Sequence, residues 1–180
     1  MKNKMKYAWL VGLAVLWLAG CTNSANDAEI RVKSESKTID FIAEKGGGDG
    51  VLSIVDGRLF QEWVSDQEEI PYLKLGAAIT IQLNKNISGS YELKDVLLKE
   101  DGALKYITQP FIEQSHDTVI DFDKGVGSFI LTENAYAYLS SQSKDYEPGA
   151  TIRGFQLYLH DKDETIAFVI RTDASSQSEA

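Results

Sequence analysis

Apolar and polar residues alternate with a period of two through much of this 180-residue chain. The pattern indicates half-buried β-strands, because successive side chains of a strand point to opposite faces of a sheet. Residues 134–141 fit either one or two helical turns or a further strand. Strands are predicted over residues 38–42, 51–55, 58–64, 78–83, 96–100, 103–108, 118–122, 128–131, 152–159 and 165–171.

Turn residues separate the predicted strands. Asp56-Gly57 and Asp101-Gly102 each lie between two of them. A type I′ turn needs positive φ at both central residues, which Asp-Gly supplies, so each pair predicts a two-residue β-hairpin. Pro148-Gly149 suits a type II turn. The polar residues 160–164 have the length of a hairpin loop.

Short strands separated by tight turns predict an all-β fold. The strand–helix alternation of a parallel α/β sheet is absent from the sequence. We predict a single antiparallel β-sandwich, immunoglobulin-like or jelly-roll in kind, over residues 38–174. The polar composition of residues 21–37 predicts a flexible tether, and residues 175–180 a disordered tail.

Residues 1–20 follow a different pattern. Three lysines, Lys2, Lys4 and Lys6, precede an apolar run that ends at Leu18-Ala19-Gly20-Cys21. A cationic start, a short apolar segment and small residues at the end are typical of a secretory signal peptide. The run is shorter than the roughly 20 apolar residues of a membrane-spanning helix.

The junction Leu18-Ala19-Gly20-Cys21 resembles the lipobox of bacterial lipoproteins. The resemblance implies that diacylglycerol is attached to the thiol of Cys21 and that this residue becomes the first of the mature protein. Two acyl chains give durable anchoring, whereas one gives only marginal binding. The expected location is therefore extracytoplasmic, anchored by lipid to a bacterial membrane.

The net charge of the chain limits the classes of partner that it is expected to bind. The chain has a formal net charge of −9, from 18 basic and 27 acidic residues. Removal of residues 1–20 takes away three lysines and no acid, which leaves 15 basic residues and a net charge of −12. Such a surface repels nucleic acid, so nucleic acid is not an expected partner. Besides the membrane, which diacylglycerol contacts, the expected partners are an envelope protein or a glycan.

Tyrosines and arginines are the candidate ligand-binding residues. Tyr136 and Tyr138 are predicted to share a face, and Tyr158 to lie opposite the apolar residues of its strand. An exposed row of aromatic rings binds sugars by stacking; alternatively, the tyrosines line the edge of the core with their hydroxyls in water. Arg153 and Arg171 either form internal ion pairs or recognise an anion.

Two acidic clusters, Asp121 with Asp123 and Asp161 with Asp163 and Glu164, are candidate ligands for weak calcium binding. Alternatively, they are solvated turns. No other cofactor is predicted, and the sequence has no recognisable acyl-transfer motif. We therefore predict a non-catalytic binding or envelope-interaction protein. The alternatives are a carbohydrate-binding module that uses surface tyrosines and a small hydrolase that uses a pair of carboxylates.

Replacement of Cys21 tests the anchor. Cys21→Ala removes the thiol that would accept diacylglycerol, so we expect loss of processing at this junction and loss of incorporated labelled fatty acid. Thr22→Ala is the matched control and should retain both. A native protein that incorporates no label would contradict the lipoprotein prediction.

Overall fold

The computed structural model describes residues 30–35, 37–45, 55, 57–83, 86–108, 112–113 and 115–176. Within these residues the chain forms eleven strands, one α-helix (α1, Gly57–Asp66) and two 3₁₀ helices (Ala135–Leu139 and Ser143–Tyr146). None of these helices is long and apolar enough to cross a membrane. The strands are β1 (Arg31–Ser34), β2 (Lys37–Ile39), β3 (Ile42–Lys45), β4 (Ala78–Gln82), β5 (Gly89–Leu98), β6 (Ile107–Thr108), β7 (Ile112–Glu113), β8 (Thr118–Asp123), β9 (Val126–Ile130), β10 (Thr151–Leu159) and β11 (Glu164–Thr172).

Nine strands form one antiparallel sheet in the order β2-β1-β4-β9-β8-β5-β10-β11-β3, and β6 pairs with β7 separately. The two edge strands, β2 and β3, are separated in the chain by only Asp40 and Phe41. The sheet therefore curls round until its two edges approach each other. The predicted all-β antiparallel architecture is confirmed, with its layers formed by one continuous, curled sheet.

The inside of the curled sheet holds the main hydrophobic core. Strand β10 contributes Phe155, Leu157 and Leu159, which alternate with residues on the outer face. Phe155 stacks on Phe168 of β11, with ring centroids 5.0 Å apart. This alternation is the one predicted for residues 152–159, and it fixes which face of each strand looks outward.

Helix α1 packs on the outer face of β5, β10 and β11. Leu59, Phe60 and Trp63 are spaced as one helical stripe and are buried there. Trp63 Nε1 also donates a hydrogen bond to the Asp40 carbonyl, at 3.1 Å. Gly154 of β10 makes the close approach possible, because a Cβ atom at this position would lie 2.8 Å from the Phe60 ring.

The predictions made around Asp56-Gly57 are wrong for the described residues. Residues 58–64 were expected to form a strand after a hairpin, but Gly57 begins helix α1. The spacing of Leu59, Phe60 and Trp63 favours a helix, because a helix places all three side chains against the sheet. The strand predicted over residues 51–54 and the turn residue Asp56 lie outside the described residues.

Asp101-Gly102 does lie in a hairpin, with a geometry different from the predicted one. Gly102 has a φ of 77°, but Asp101 is not among the residues with positive φ, so the turn is not type I′. The Gly102 N–H donates to the Lys99 carbonyl at 3.0 Å, and the Lys99 N–H donates to the Ala103 carbonyl at 2.8 Å. The loop is thus longer than two residues.

Two other turn predictions are confirmed. Gly149 has a φ of 73°, and the Ala150 N–H donates to the Glu147 carbonyl at 3.0 Å, as in a type II turn. Residues 160–163 connect β10 to β11, with Leu159 paired to Glu164. A further two-residue turn, Lys124-Gly125, has positive φ at both positions and joins β8 to β9. It was missed because Lys-Gly is a weaker turn signal than Asp-Gly.

The sheet begins earlier in the chain than expected. Strand β1 lies within residues 21–37, which were predicted to form a tether, and its buried Val32 belongs to the main core. The strand predicted over residues 38–42 is interrupted at Asp40 and Phe41, between β2 and β3. Cys21, the signal segment and residues 177–180 lie outside the described residues.

Gly102 and Gly57 form a matched pair for a stability test. A Cβ atom on Gly102 would lie 2.6 Å from the Phe60 carbonyl oxygen, and its φ is positive, whereas a Cβ atom on Gly57 would meet Leu104 at 3.6 Å. We expect Gly102→Ala to cost about 2 kcal/mol or more and to lower Tm by several degrees. Gly57→Ala should change stability by about 0.5 kcal/mol at most. Equal melting of both variants would contradict this account.

Candidate functional site

The first candidate site is a groove on the outer face of the sheet, where β8, β5 and β10 run side by side beyond helix α1. We call it the sheet groove. Its volume is about 300 Å³, and it is lined by Ser90, Tyr91, Glu92, Lys94, Val119, Gln156, Tyr158 and His160. Strand register places its walls: Val119 is directly opposite Glu92, and Leu93 is opposite Leu157, so Tyr158 flanks Glu92 on the other side.

The sheet groove has apolar walls and a polar floor. Neighbouring strands lie about 4.8 Å apart, so Val119 and Tyr158, two strands apart, are separated by roughly 10 Å. Val119 is 67% exposed, and Tyr158 is partly exposed. Between them β5 presents Ser90, Glu92 and Lys94. This spacing accommodates one flat, ring-shaped ligand group.

Lys94 organises the charge of the floor. Its ammonium group forms ion pairs with Glu92 and, at 2.6 Å, with Asp117. Burial lowers the pKa of Lys94, but hydrogen bonds to Asp117 and Glu92 outweigh that effect and raise the pKa above its usual value. Lys94 is thus a fixed, charged hydrogen-bond donor in the groove.

Carboxylates of the β10–β11 loop fix two tyrosines of the groove. The Tyr91 hydroxyl donates to Asp161 at 2.9 Å, and the Tyr158 hydroxyl donates to Asp163 at 3.1 Å. Burial and the adjacent carboxylate raise the pKa of both phenols, so both remain neutral donors. The His160 ring stacks on Tyr91 with centroids 4.9 Å apart. The ring of Tyr91 is itself buried in the main core, so the aromatic surface of the groove is that of Tyr158 and His160, which these contacts hold in place.

The acidic residues predicted to bind calcium do not form a joint site. The part of the chain that the structure describes contains no group of three or more histidine, cysteine or acidic side chains arranged to hold a metal. Asp161 and Asp163 accept the tyrosine hydroxyls, and Glu164 is the first residue of β11. Asp121 accepts a hydrogen bond from Ser90 at 2.5 Å, and Asp123 precedes the Lys124-Gly125 turn.

The second candidate site is larger and lies at one end of the curled sheet. We call it the tip cleft. Its volume is about 660 Å³. One wall is the hairpin loop that carries Lys99, Glu100, Lys105 and Tyr106, and the other is the 3₁₀ segment with Leu139, Ser140, Ser141, Gln142, Lys144, Asp145 and Glu147; Leu98, Ala150 and Ile152 complete the lining.

An ion pair joins the two walls of the tip cleft. Lys105 Nζ lies 2.8 Å from Asp145 Oδ2, and Ser140 Oγ also donates to that oxygen. The hydrogen bonds from Lys105 and Ser140 hold the pKa of Asp145 below its ordinary value. Asp145 therefore stays ionised at neutral pH, and its ion pair with Lys105 fixes the spacing of the walls.

The other predicted tyrosines lie near the tip but do not share a face. Tyr136 packs against the small cluster of Leu97 and Ala174, whereas Tyr138 is 51% exposed. A 3₁₀ helix turns once in three residues, so positions two apart point in different directions. Tyr146, which the sequence analysis did not single out, is exposed, and its hydroxyl donates to the Ser140 carbonyl at 2.7 Å.

The structure places the two candidate arginines in ion pairs. Arg153 is buried: its guanidinium pairs with Asp95, with Nε 3.1 Å from Oδ1, and donates to the Thr132 carbonyl at 2.5 Å. Burial raises the pKa of Asp95, and the positive charge of Arg153 opposes that rise. Arg171 pairs with Glu100 at the surface, at 3.3 Å. Neither guanidinium lines the sheet groove or the tip cleft.

Sequence reasoning missed most of the residues that line the sheet groove. The first half of β5 alternates between apolar and polar side chains, at Tyr91, Glu92, Leu93 and Lys94. This alternation is a usable signal for a strand. The missing information was the neighbour of β5, because β8 and β10 come from distant parts of the chain.

No protein-family model, curated protein or solved structure matches this chain.

The hydrogen bonds that the Glu133 carboxylate accepts can be tested through the pH dependence of stability. The carboxylate accepts hydrogen bonds from Ser176 and Tyr138, which lower its pKa from 4.5 to about 2. A depressed pKa stabilises the folded state above the unfolded pKa, and this stabilisation is lost as the pH falls from about 4.5 towards 2. We expect Glu133→Gln to be less stable at neutral pH and to lose less stability across this range.

Denaturant unfolding measured at several pH values checks this expectation. The exposed Glu147→Gln, which removes one carboxylate elsewhere on the surface, is the control. A Glu133→Gln profile parallel to that of the native protein would show that Glu133 is not a stabilising contact.

Proposed function

We propose that this protein is a lipid-anchored, extracytoplasmic binding protein, without catalytic activity, whose sheet groove binds a ring of a neutral saccharide. The observation that carries the proposal is the arrangement of Tyr158 and Val119 on either side of the polar floor. Binding sites typically combine apolar walls with a few well-placed polar groups that fix orientation.

A sugar ring matches both parts of this groove. Its C–H face packs on an aromatic ring, and its hydroxyls both donate and accept hydrogen bonds. The ring of Tyr158 offers the packing surface. Glu92 offers acceptors and Lys94 offers donors, and these groups are already held in place by their mutual ion pair. Little side-chain freedom would be lost on binding.

Charge favours a neutral ligand in the sheet groove. Lys94 is already paired with Glu92 and Asp117, and Asp121 lies on the same side of the sheet. An anionic ligand would meet these carboxylates and the overall net charge of −9. A neutral polyhydroxylated ligand is repelled neither by these carboxylates nor by the net charge of the chain.

The contacts in the tip cleft support a non-catalytic role. A hydrolase of this kind would need a pair of carboxylates available to a substrate. Of the carboxylates that line the cleft, Asp145 is bound to Lys105 and Ser140, and Glu100 is bound to Arg171, which leaves Glu147 without a second one. Ser140 donates to a carboxylate, and neither His116 nor His160 lines that cleft to serve as its base.

The anchor at Cys21 belongs to the same proposal. Leu18-Ala19-Gly20-Cys21 is the sequence observation that supports it. A binding domain held at a membrane surface by two acyl chains would meet the glycans of the envelope, which agrees with a saccharide as ligand.

Titration with neutral oligosaccharides tests the proposed ligand class. We expect the full-length protein in detergent to bind a neutral hexasaccharide of glucose or of N-acetylglucosamine. Tyr158→Ala should weaken this binding at least tenfold, which corresponds to about 1.4 kcal/mol. Isothermal calorimetry measures the affinity.

Tyr138→Ala is the matched control, because Tyr138 is exposed but lies outside the sheet groove. It should bind like the native protein. Absence of binding to both oligosaccharides, or equal losses in the two variants, would overturn the assignment of a saccharide to the sheet groove.

A further inference from the structure

We propose that the tip cleft is a second binding site, specific for an anionic group, and that Lys99 and Lys144 hold this group from opposite walls. The site is distinct from the sheet groove in position, lining and charge. Its ligand would carry a phosphate or a carboxylate.

The ion pairs around the cleft leave an excess of positive charge. Lys105 is neutralised by Asp145, and Glu100 is neutralised by Arg171. Of the remaining charged side chains of described residues that line the cleft, Lys99 and Lys144 are positive and Glu147 is negative. This local excess stands within a chain of net charge −9.

The two lysines are placed on separate elements that face each other. Lys99 directly follows β5, and Lys144 lies in the second 3₁₀ helix. The ion pair between Lys105 and Asp145 spans the same two walls and fixes their separation. An anion between Lys99 and Lys144 would therefore bind without any need to break an existing pair.

The concave shape of the cleft would let two lysines act on one anion. An ion pair in full contact with water contributes little, because water and salt screen it. Here two lysines on separate walls would act on the same anion, and Leu98, Leu139 and Ile152 add apolar surface to the concavity. A volume of about 660 Å³ accommodates a small organic anion or the end of an anionic polymer.

Titrations with tripolyphosphate and with tetraglutamate test the proposal and distinguish the two chemical sources. The full-length protein in detergent should bind at least one of them saturably at low salt. Binding of tripolyphosphate alone assigns phosphate, and binding of tetraglutamate alone assigns carboxylate. The affinity should fall as salt is raised. Absence of saturable binding to both anions would overturn the proposal.

Paired charge reversals locate the site. We expect Lys99→Glu combined with Lys144→Glu to weaken binding at least tenfold, and the neutral pair Lys99→Gln with Lys144→Gln to weaken it by a smaller factor. The control combines Lys33→Glu with Lys74→Glu, two exposed lysines outside the cleft, and reaches the same net charge. An equal loss in the control would show that net charge, and not the tip cleft, determines binding.

The anion test is independent of the saccharide test. Tyr158→Ala should leave anion binding unchanged, because Tyr158 belongs to the sheet groove. Loss of anion binding in Tyr158→Ala would contradict the existence of two separate sites.

Discussion

The burial of β10 and β11 on both faces is the constraint on which the rest of the structure depends. Their inner face supplies Phe155 and Phe168 to the main core, and Ala167 and Val169 lie on the outer face beneath helix α1. A sheet region buried on both sides needs a cover of the right shape, and Gly154 provides the space for Phe60. The β10–β11 hairpin, helix α1 and the main core therefore stabilise one another.

Helix α1, which covers the outer face, is shorter than the strands beneath it, and this difference in length leaves the sheet groove open. Ten helical residues span about 15 Å, whereas a nine-residue strand spans about 30 Å. Helix α1 lies over the part of the sheet that contains Ile152, Gly154 and Val169. The remaining part, with Tyr158 and Glu92, is left open to a ligand.

The sequence predicted β10 and β11 well but missed most of β5 and the sites, for physical reasons. The apolar runs of β10 and β11 have an unambiguous period, so both were predicted to within one residue at each end. Helix α1 is short, and Leu59, Phe60 and Trp63 also fit a strand when the sheet beneath them is unknown. The tip cleft joins residues 98–106 to residues 139–152, a proximity that no local pattern expresses.

The direction of β1 places the start of the described chain and the tip cleft at opposite ends of the curled sheet. Arg31 begins this strand opposite Gln82, which pairs in turn with Val126 beside the Lys124-Gly125 turn. The tip cleft, next to Leu98 and Ile152, lies at the other end of the curled sheet. If Cys21 is anchored as proposed, the tip cleft would lie at the end of the sheet away from the point where the described chain begins.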